Sequence, residues 1–230
     1  MKKLLMMSFY VSVCAHVFGQ KIELQTGVSY LNVQPLNEAL ALNDIFPVSN
    51  SFMTFGIGAN LRDKPNYSID FVYRVSANLN NAAFEASNAN GSKDALFNFQ
   101  SAGIEVIMFK QTFGKFKIEP ILGLSYLWAS INLSDFALDT TSFQAILDNS
   151  QTTRDLVVSR RATAGSLGGR VTYEFRIKDK PLLIGLYPLI AADFWGGYDT
   201  GWMSGRQRVY GLEKLNLRYL SVLGTISMAL

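Results

Sequence analysis

Hydrophobic and polar residues alternate along the chain around residue 70. Between Tyr67 and Ala77 every second side chain is apolar, and the side chains between them are mostly polar or charged, with Val72 as the exception. Alternation with a period of two is typical of a β-strand whose two faces meet different surroundings. Other segments of similar length repeat the pattern, and several place a Glu or an Arg opposite the apolar face. The pattern therefore predicts a protein built from two-faced strands.

Short and long polar connections alternate between these segments. Three connections are short and turn-like, at residues 62–66, 111–114 and 178–181. Four are longer, at residues 34–50, 78–94, 134–156 and 196–212. Seven connections join eight strands, and a strict alternation of short turns with long loops is typical of an up-and-down barrel in the outer membrane.

The predicted fifth strand allows a check of its length against a membrane. Its apolar face begins at Phe116 and ends at Trp128, so that aromatic residues stand at both ends. About twelve residues at ~3.3 Å each, tilted by roughly 40°, climb on the order of 30 Å, close to the ~25 Å apolar band of a transmembrane barrel with its girdles. A strand of a soluble protein is usually about half as long. We therefore predict that the apolar faces contact lipid and that the polar faces line the lumen.

The N-terminal segment has the features of an export signal. Lys2 and Lys3 precede an uncharged apolar stretch from Leu4 to Phe18, and Gly19 stands before a predicted cleavage near Gln20. This order of charge, apolar stretch and small residue is that of a secretory signal peptide. We expect residues 1–19 to be a removed signal peptide and residues 20–230 to form a single β-barrel domain.

The cysteine and the histidine of the chain, Cys14 and His16, both lie in this segment. A lipoprotein anchored at Cys14 is an alternative, but residues 11–13 lack the small residue expected just before a lipid-modified cysteine. With the signal removed, the chain can build no disulfide, thiol nucleophile, Ser-His pair or ordinary zinc site. We therefore expect no catalytic site, no metal and no cofactor.

Charge and hydropathy narrow the class further. Without Lys2 and Lys3, 21 − 2 = 19 basic residues face 18 acidic residues, which gives no support to a nucleic-acid partner. The longest charge-free apolar run after the signal, 181–192, is shorter than the roughly 20 residues of a membrane-spanning helix, and Pro188 interrupts it. Hydrophobic residues nevertheless reach 49 %, a composition that permits a barrel with a lipid-facing exterior.

With these features the chain resembles the small eight-stranded outer-membrane barrels of Gram-negative bacteria. The junction at Phe18–Lys21 is similar to those of Bacteroidetes-type proteins, and the final strand alternates from Leu220 to Leu230, where the family usually ends on an aromatic residue. The resemblance is architectural and covers the whole mature chain. It implies an all-β, antiparallel transmembrane barrel in the bacterial outer membrane, with outer-membrane lipid around it.

Six charged side chains are predicted to face the lumen. They are Asp70, Arg74, Glu105, Glu119, Arg170 and Glu174. Counted from the proposed turns, the carboxylates lie about four or five residues along their strands, and the arginines lie about eight residues along theirs. The lumen of an eight-stranded barrel is only wide enough for side chains. Two interpretations are open: a salt-bridged plug, and an ion or proton path. Unpaired charge in such an interior costs several kcal/mol, whereas glycoside chemistry or a calcium site would need access that a filled lumen denies.

The fourth long connection is rich in residues suited to recognition. Among its glycines stand Tyr198, Trp202, Arg206 and Arg208. Aromatic faces and guanidinium groups suit sugar rings and the phosphates of surface lipids; alternatively, Trp195 belongs to the aromatic girdle and the arginines to solvent. Two other loops contain short amphipathic segments, 36–46 and 142–147, predicted as helical caps on the barrel mouth or as contacts with another subunit.

These observations favour a non-enzymatic structural or partner-binding barrel, whose partner is a surface glycan or another envelope protein. A narrow channel for ions or small solutes is the alternative. A histidine-independent outer-membrane enzyme is a further alternative, because the outer-membrane enzymes that the fold resembles use a histidine that the mature chain lacks.

Overall fold

The computed structural model describes residues 21–41, 47–78, 95–133, 156–177, 180–195, 201–204, 207–212 and 215–229. Its strands are β1 (Lys21–Leu31), β2 (Ser51–Asp63), β3 (Ser68–Asn78), β4 (Ala95–Ile107), β5 (Gln111–Phe113), β6 (Phe116–Leu133), β7 (Leu156–Ile177), β8 (Lys180–Trp195), β9 (Trp202–Ser204), β10 (Gln207–Val209) and β11 (Tyr219–Ala229). One helix, α1 (Gln34–Ala41), lies between β1 and β2. Within these ranges no helix is long and apolar enough to cross a membrane. The predicted signal peptide and the segment at 142–147 lie outside the described residues.

Eight of the strands close into one antiparallel barrel. Neighbours pair in the order β1, β2, β3, β4, β6, β7 and β8. Strand β11 pairs with β8 on one side and with β1 on the other, which completes the circle. Closure gives each barrel strand a hydrogen-bonded neighbour on both sides, so that none of them is left as an edge in the membrane. The predicted eight-stranded antiparallel up-and-down barrel is confirmed.

The three short connections lie at one end of the barrel, which we call the turn end. In the β2–β3 turn, the Lys64 N–H donates to the Tyr67 carbonyl at 2.9 Å. The β5–β6 turn uses Gly114 at a φ of 61°, a left-handed conformation that favours glycine. In the β7–β8 turn, Ile177 and Lys180 are register partners. The opposite end, which carries the long connections, is called the loop end. In outer-membrane barrels the short turns face the periplasm.

The barrel exterior carries a belt of apolar side chains. Ile190, for example, is 62 % exposed, although a soluble protein buries most residues of this type. Near the turn end the rings of Phe116 and Tyr173 lie 5.0 Å apart, and further toward the loop end those of Tyr126 and Trp128 lie 4.6 Å apart. An apolar band between two aromatic levels is the lipid-facing surface of a transmembrane barrel. The predicted outer-membrane location is confirmed.

The interior changes from polar to apolar toward the loop end. Strands β6 and β7, of 18 and 22 residues, are the longest of the barrel, and the β9–β10 hairpin adds to β7 through the pair of Ser159 with Met203. Buried apolar side chains fill this end. This cluster, called the mouth core, includes Leu31, Val33, Leu36, Leu40, Phe52, Phe97, Phe99, Leu127, Ile131, Leu133, Val158, Trp202, Leu212, Leu215 and Leu217.

Helix α1 contributes two residues to the mouth core. Leu36 and Leu40, one turn apart, are both fully buried, while Glu38 on the other face is exposed. Asn37 fastens the following segment, because its side-chain amide exchanges hydrogen bonds of 2.8 and 2.9 Å with the backbone of Val48. Of the two predictions for segment 36–46, a cap on the mouth fits these contacts, and residues 42–46 lie outside the described part of the chain.

Candidate functional site

Arg170 on β7 spans the lumen near the turn end. Its side chain is 1 % exposed. Nε donates to Oε2 of Glu119 on β6 at 2.7 Å, and Nη1 donates to Oε2 of Glu23 on β1. Nη2 lies 3.8 Å from Oδ2 of Asp70 on β3. One guanidinium therefore connects four walls of the barrel, and bonds from such a charged donor are stronger than neutral ones.

A second guanidinium, that of Arg74 on β3, lies further toward the loop end. Its Nη2 donates to Oε1 of Glu105 at 2.6 Å, and its Nε donates to Oε1 of Gln25 at 2.7 Å. The hydroxyl of Tyr187 on β8 donates to the same Glu105 oxygen at 2.9 Å. The Tyr187 ring also lies beside the guanidinium, with its centroid 5.3 Å from Cζ of Arg74. Glu105 is thus held by a charged donor and by a neutral one.

The two arginine clusters form one network. Gln25 Nε2 donates to Oε1 of Glu23 at 2.8 Å, which links the Arg74 cluster to the Arg170 cluster through β1. Asn60 donates to Asp70 at 2.6 Å. The lumen network consists of Glu23, Gln25, Asn60, Asp70, Arg74, Glu105, Glu119, Arg170 and Tyr187. Each of its carboxylates accepts a hydrogen bond or an ion pair, which satisfies the main requirement for charge in an interior.

The structure brings five of the six predicted lumen charges together, and Glu174 is the one that lies elsewhere. Its side chain is 24 % exposed and pairs with Lys117 at 3.0 Å and with Arg176 at 3.6 Å. Its backbone N–H donates to the carbonyl of Lys115 at 2.9 Å, so that it stands beside the neighbouring turn. The prediction for Glu174 is wrong because tilted strands place equal residue counts at unequal heights.

Four members of the network were not among the six predicted charges, namely Glu23, Gln25, Asn60 and Tyr187. Glu23 and Gln25 alternate with apolar residues on β1, so the same two-residue rule identifies them as inward-facing. Tyr187 gave no such signal, because β8 is apolar on both faces through most of its length.

Inward glycines make room for the large side chains of the network. A Cβ atom at Gly56 would lie 3.0 Å from Cγ of Arg74 and 3.0 Å from Oε1 of Gln25. A Cβ atom at Gly168 would lie 2.7 Å from Cε2 of Tyr187. Eight strands leave a lumen that side chains just fill, so a long residue on one wall requires a small one opposite.

Adjacent glycines on β7 provide a matched test of this packing. We expect Gly168→Ala to lower the free energy of unfolding by about 1 to 3 kcal/mol, because the new methyl group would overlap the Tyr187 ring and a backbone oxygen. Gly169→Ala should change it by less than about 0.5 kcal/mol, because nothing lies within 4 Å of that position. Urea unfolding in lipid vesicles measures both, and equal effects would contradict the packing.

On one side of the barrel, hydroxyl groups lie between the lumen network and the mouth core. Ser29 Oγ lies 2.5 Å from Thr54 Oγ1 and 2.5 Å from Ser221 Oγ. Thr54 Oγ1 lies 2.7 Å from Ser76 Oγ. Hydrogen bonds link these four side chains in a row, and the side chains come from β1, β2, β3 and β11. From the turn end to the loop end, the interior on this side therefore passes from charges through hydroxyls to apolar side chains.

A small cavity lies beside the network. A cavity of about 10 Å³ adjoins Arg74 and Glu105 and is lined further by Ser101, Ser125 and Ser166. This is room for about one water molecule. In the described ranges, no three His, Cys, Asp or Glu residues are grouped so as to hold a metal ion. The arrangement holds four carboxylates around two guanidinium groups.

The predicted recognition residues of the fourth long loop lie in different environments. Trp202 is 2 % exposed, with its ring 6.2 Å from that of Phe97 in the mouth core. The prediction that Trp202 faces a ligand is wrong, because its large apolar ring is buried by the hairpin that carries it. Arg208 is exposed, and its Cζ lies 5.3 Å from the centroid of Tyr210. Tyr198 and Arg206 lie outside the described residues.

No family model matches the chain, and no curated protein matches it. Among solved structures it is similar to Neisserial surface protein A, with 10 % identity, coverage of 91 % of this chain and 95 % of that chain, and a TM-score of 0.43. It is also similar to a major outer membrane protein from Thermus thermophilus, with 10 % identity, coverage of 89 % of this chain and 98 % of that chain, and a TM-score of 0.45. A third similar structure is that of the attachment invasion locus protein Ail of Yersinia pestis in complex with the heparin analogue sucrose octasulfate. The identity is 7 %, the coverage is 90 % of this chain and 96 % of that chain, and the TM-score is 0.41.

Proposed function

We propose that this chain is a non-enzymatic outer-membrane barrel with a sealed lumen, which serves as a structural or partner-binding protein through its loop end. The observation that carries the proposal is the succession of three interior layers, namely the lumen network, the row of hydroxyl groups and the mouth core. Each layer is made of side chains from several walls of the barrel.

The energetics of these layers support a sealed lumen over a channel. An ion on the barrel axis would have to displace Arg170 from its carboxylates, and breaking a buried pair costs about 3 to 5 kcal/mol. It would then have to pass fully buried Leu36, Phe52 and Phe97, where no polar group replaces its hydration shell. The two barriers are of different kinds and stand one after the other.

Planar bilayers test the seal. We expect the refolded full chain to give no stepwise conductance, because both barriers are present in the folded state. A porin added to the same bilayer shows that the assay responds, and a shift in gel mobility between unboiled and boiled samples shows that the barrel is folded. Conductance steps that scale with salt would favour the channel alternative.

The engagement of the carboxylates supports a non-enzymatic role. A carboxylate that acts as a general acid, base or nucleophile needs contact with its substrate. Glu119 and Glu23 are bonded to Arg170, and Glu105 is bonded to Arg74 and Tyr187. Each of the three carboxylates has at least one oxygen bonded to a partner from the barrel itself, and the cavity beside Glu105 has room for about one water molecule.

The proposed recognition surface at the loop end centres on Arg208. Its guanidinium is exposed and lies between the Tyr210 ring and Gly201, where a Cβ atom would come 2.7 Å from Arg208 Nε. Packing of this kind reduces the freedom that an arginine loses when it binds. A planar guanidinium beside an aromatic ring suits the sulfate or phosphate groups of a surface glycan, or a carboxylate of an envelope protein.

Replacing Arg208 by Gln should weaken binding of the folded protein to immobilised dextran sulfate by about threefold to tenfold, because one charge-assisted hydrogen-bond donor is lost. Arg218→Gln is the control, since Arg218 is also exposed but lies beside β11, which pairs with β1 and β8 and not with the hairpin. Equal retention of both variants, or an equal loss in both, would contradict recognition by Arg208.

A further inference from the structure

The turn end of the barrel is strongly basic. In the three turns, the strand ends beside them and the first residue of β1, eight described basic residues stand against two acidic ones, Asp63 and Glu174. The basic residues, which we call the basic ring, are Lys21, Arg62, Lys64, Lys110, Lys115, Lys117, Arg176 and Lys180. The chain as a whole has a net charge of only +3, so this excess is local.

Half of the basic ring has no carboxylate partner within the described ranges. Lys21 lies 3.9 Å from Glu23, Lys110 pairs with Asp63, and Glu174 accepts from both Lys117 and Arg176. The four exposed members without an ion pair to another described residue are Arg62, Lys64, Lys115 and Lys180. These four exposed cations are accessible to an external counter-charge.

The free cations surround much of the barrel at the depth of lipid head groups. Arg62 and Lys64 lie at the β2–β3 turn, Lys115 at the β5–β6 turn and Lys180 at the β7–β8 turn. Arg62 Cζ is 5.6 Å from the Tyr67 ring, and Lys115 Nζ is 5.9 Å from the Tyr173 ring. Aromatic residues of membrane proteins collect at the membrane–water interface, and lysine and arginine stems extend from apolar surface to the head groups.

We propose that the basic ring binds the phosphodiester head groups of anionic phospholipids in the periplasmic leaflet. The proposal is independent of the sealed lumen and of recognition at the loop end, because it uses neither set of residues. Cationic side chains close to an anionic bilayer surface are attracted to it, and salt weakens this attraction. The ring would give the barrel a shell of anionic lipid at one end.

Spin-labelled lipids measure this selectivity directly. The full chain is reconstituted in phosphatidylcholine vesicles that contain a trace of spin-labelled phosphatidylglycerol or phosphatidylcholine, and electron spin resonance gives the fraction of label bound at the protein surface. We expect about a threefold preference for phosphatidylglycerol at low salt, which falls toward one as salt is added. A variant with Arg62→Gln, Lys64→Gln, Lys115→Gln and Lys180→Gln should have a ratio near one.

Two controls separate charge at the turn end from other causes. Lys64→Arg, Lys115→Arg and Lys180→Arg together keep the charge and should keep the preference. Arg161→Gln with Arg218→Gln removes charge from the loop end and should also keep it. Heat-dependent gel mobility checks that each variant is folded.

The proposal is overturned if wild type and the four-residue Gln variant have the same ratio, or if the loop-end variant loses the preference instead. A second result would also overturn it. If wild type has no lipid preference and sediments with purified peptidoglycan, while the Gln variant does not sediment, the counter-charge is the cell wall.

Discussion

Replacing Arg170 by alanine should lower the free energy of unfolding of the barrel by roughly 3 to 5 kcal/mol, the cost of removing one partner of a buried ion pair. Glu23 and Glu119 would both lose a charged donor, and Asp70 would lose the cation 3.8 Å away. Three carboxylates would then share an interior without their guanidinium. Equilibrium unfolding in urea, followed by tryptophan fluorescence in lipid vesicles, measures the loss.

Two further variants identify the cause of this loss. Arg161→Ala removes the same side chain from an exposed position on the same strand, and should change the free energy of unfolding by less than about 0.5 kcal/mol. Arg170→Ala combined with Glu119→Ala should be more stable than the sum of the single effects indicates, because one unpaired carboxylate is gone. If the effects of the two substitutions on the free energy of unfolding are strictly additive, or if Arg170→Ala leaves that free energy unchanged, the ion pairs do not stabilise the barrel.

Replacing Phe52 by alanine should lower the free energy of unfolding by about 3 to 5 kcal/mol, the usual loss for a large aromatic residue in a packed core. Phe52 is fully buried, and its ring centroid lies 5.6 Å from that of Phe97 and 5.3 Å from that of Phe99. Truncation would leave a cavity that these two rings cannot fill. The same urea unfolding experiment measures it.

The control for this prediction lies at the same position. Phe52→Leu keeps most of the apolar volume and should lower the free energy of unfolding by less than about 1.5 kcal/mol. If both variants unfold like wild type, the mouth core does not contribute to the stability of the barrel and serves only to cover its opening.

The sequence was sufficient to predict the exterior of the barrel because every second residue of a barrel strand faces lipid and is therefore apolar. On β3, Phe71 is exposed while Asp70 and Arg74 are buried, as the alternation predicted. The turn at 62–66 was also predictable, since turns use a small set of residues such as Gly, Pro, Asn and Asp. The predicted turn at 111–114 is wrong in extent, because residues 111–113 form β5 and the chain reverses only at Gly114. These signals are local, and they need no knowledge of the partner strand.

The contacts inside the lumen could not be predicted in this way. Glu23 and Arg170 are 147 residues apart in the chain, and their contact depends on the tilt and register of the strands between them. Alternation gives the face of a side chain but not its height, which is why Glu174 was misplaced. Trp202 was misplaced because β9 has only three residues, too few for a period to be recognised.

The mouth core has a consequence for how long the barrel stays in the membrane. Along β6 the exposed apolar side chains end at Tyr126, and from Leu127 to Leu133 every second side chain is apolar and buried. This second part has its own buried core beyond the lipid-facing stretch of the strand. We expect extraction from the membrane to require that core to open before the loops could return through lipid. The lifetime of the inserted protein would then be set by a kinetic barrier, the unfolding rate of this part, rather than by the equilibrium free energy of the part inside the membrane.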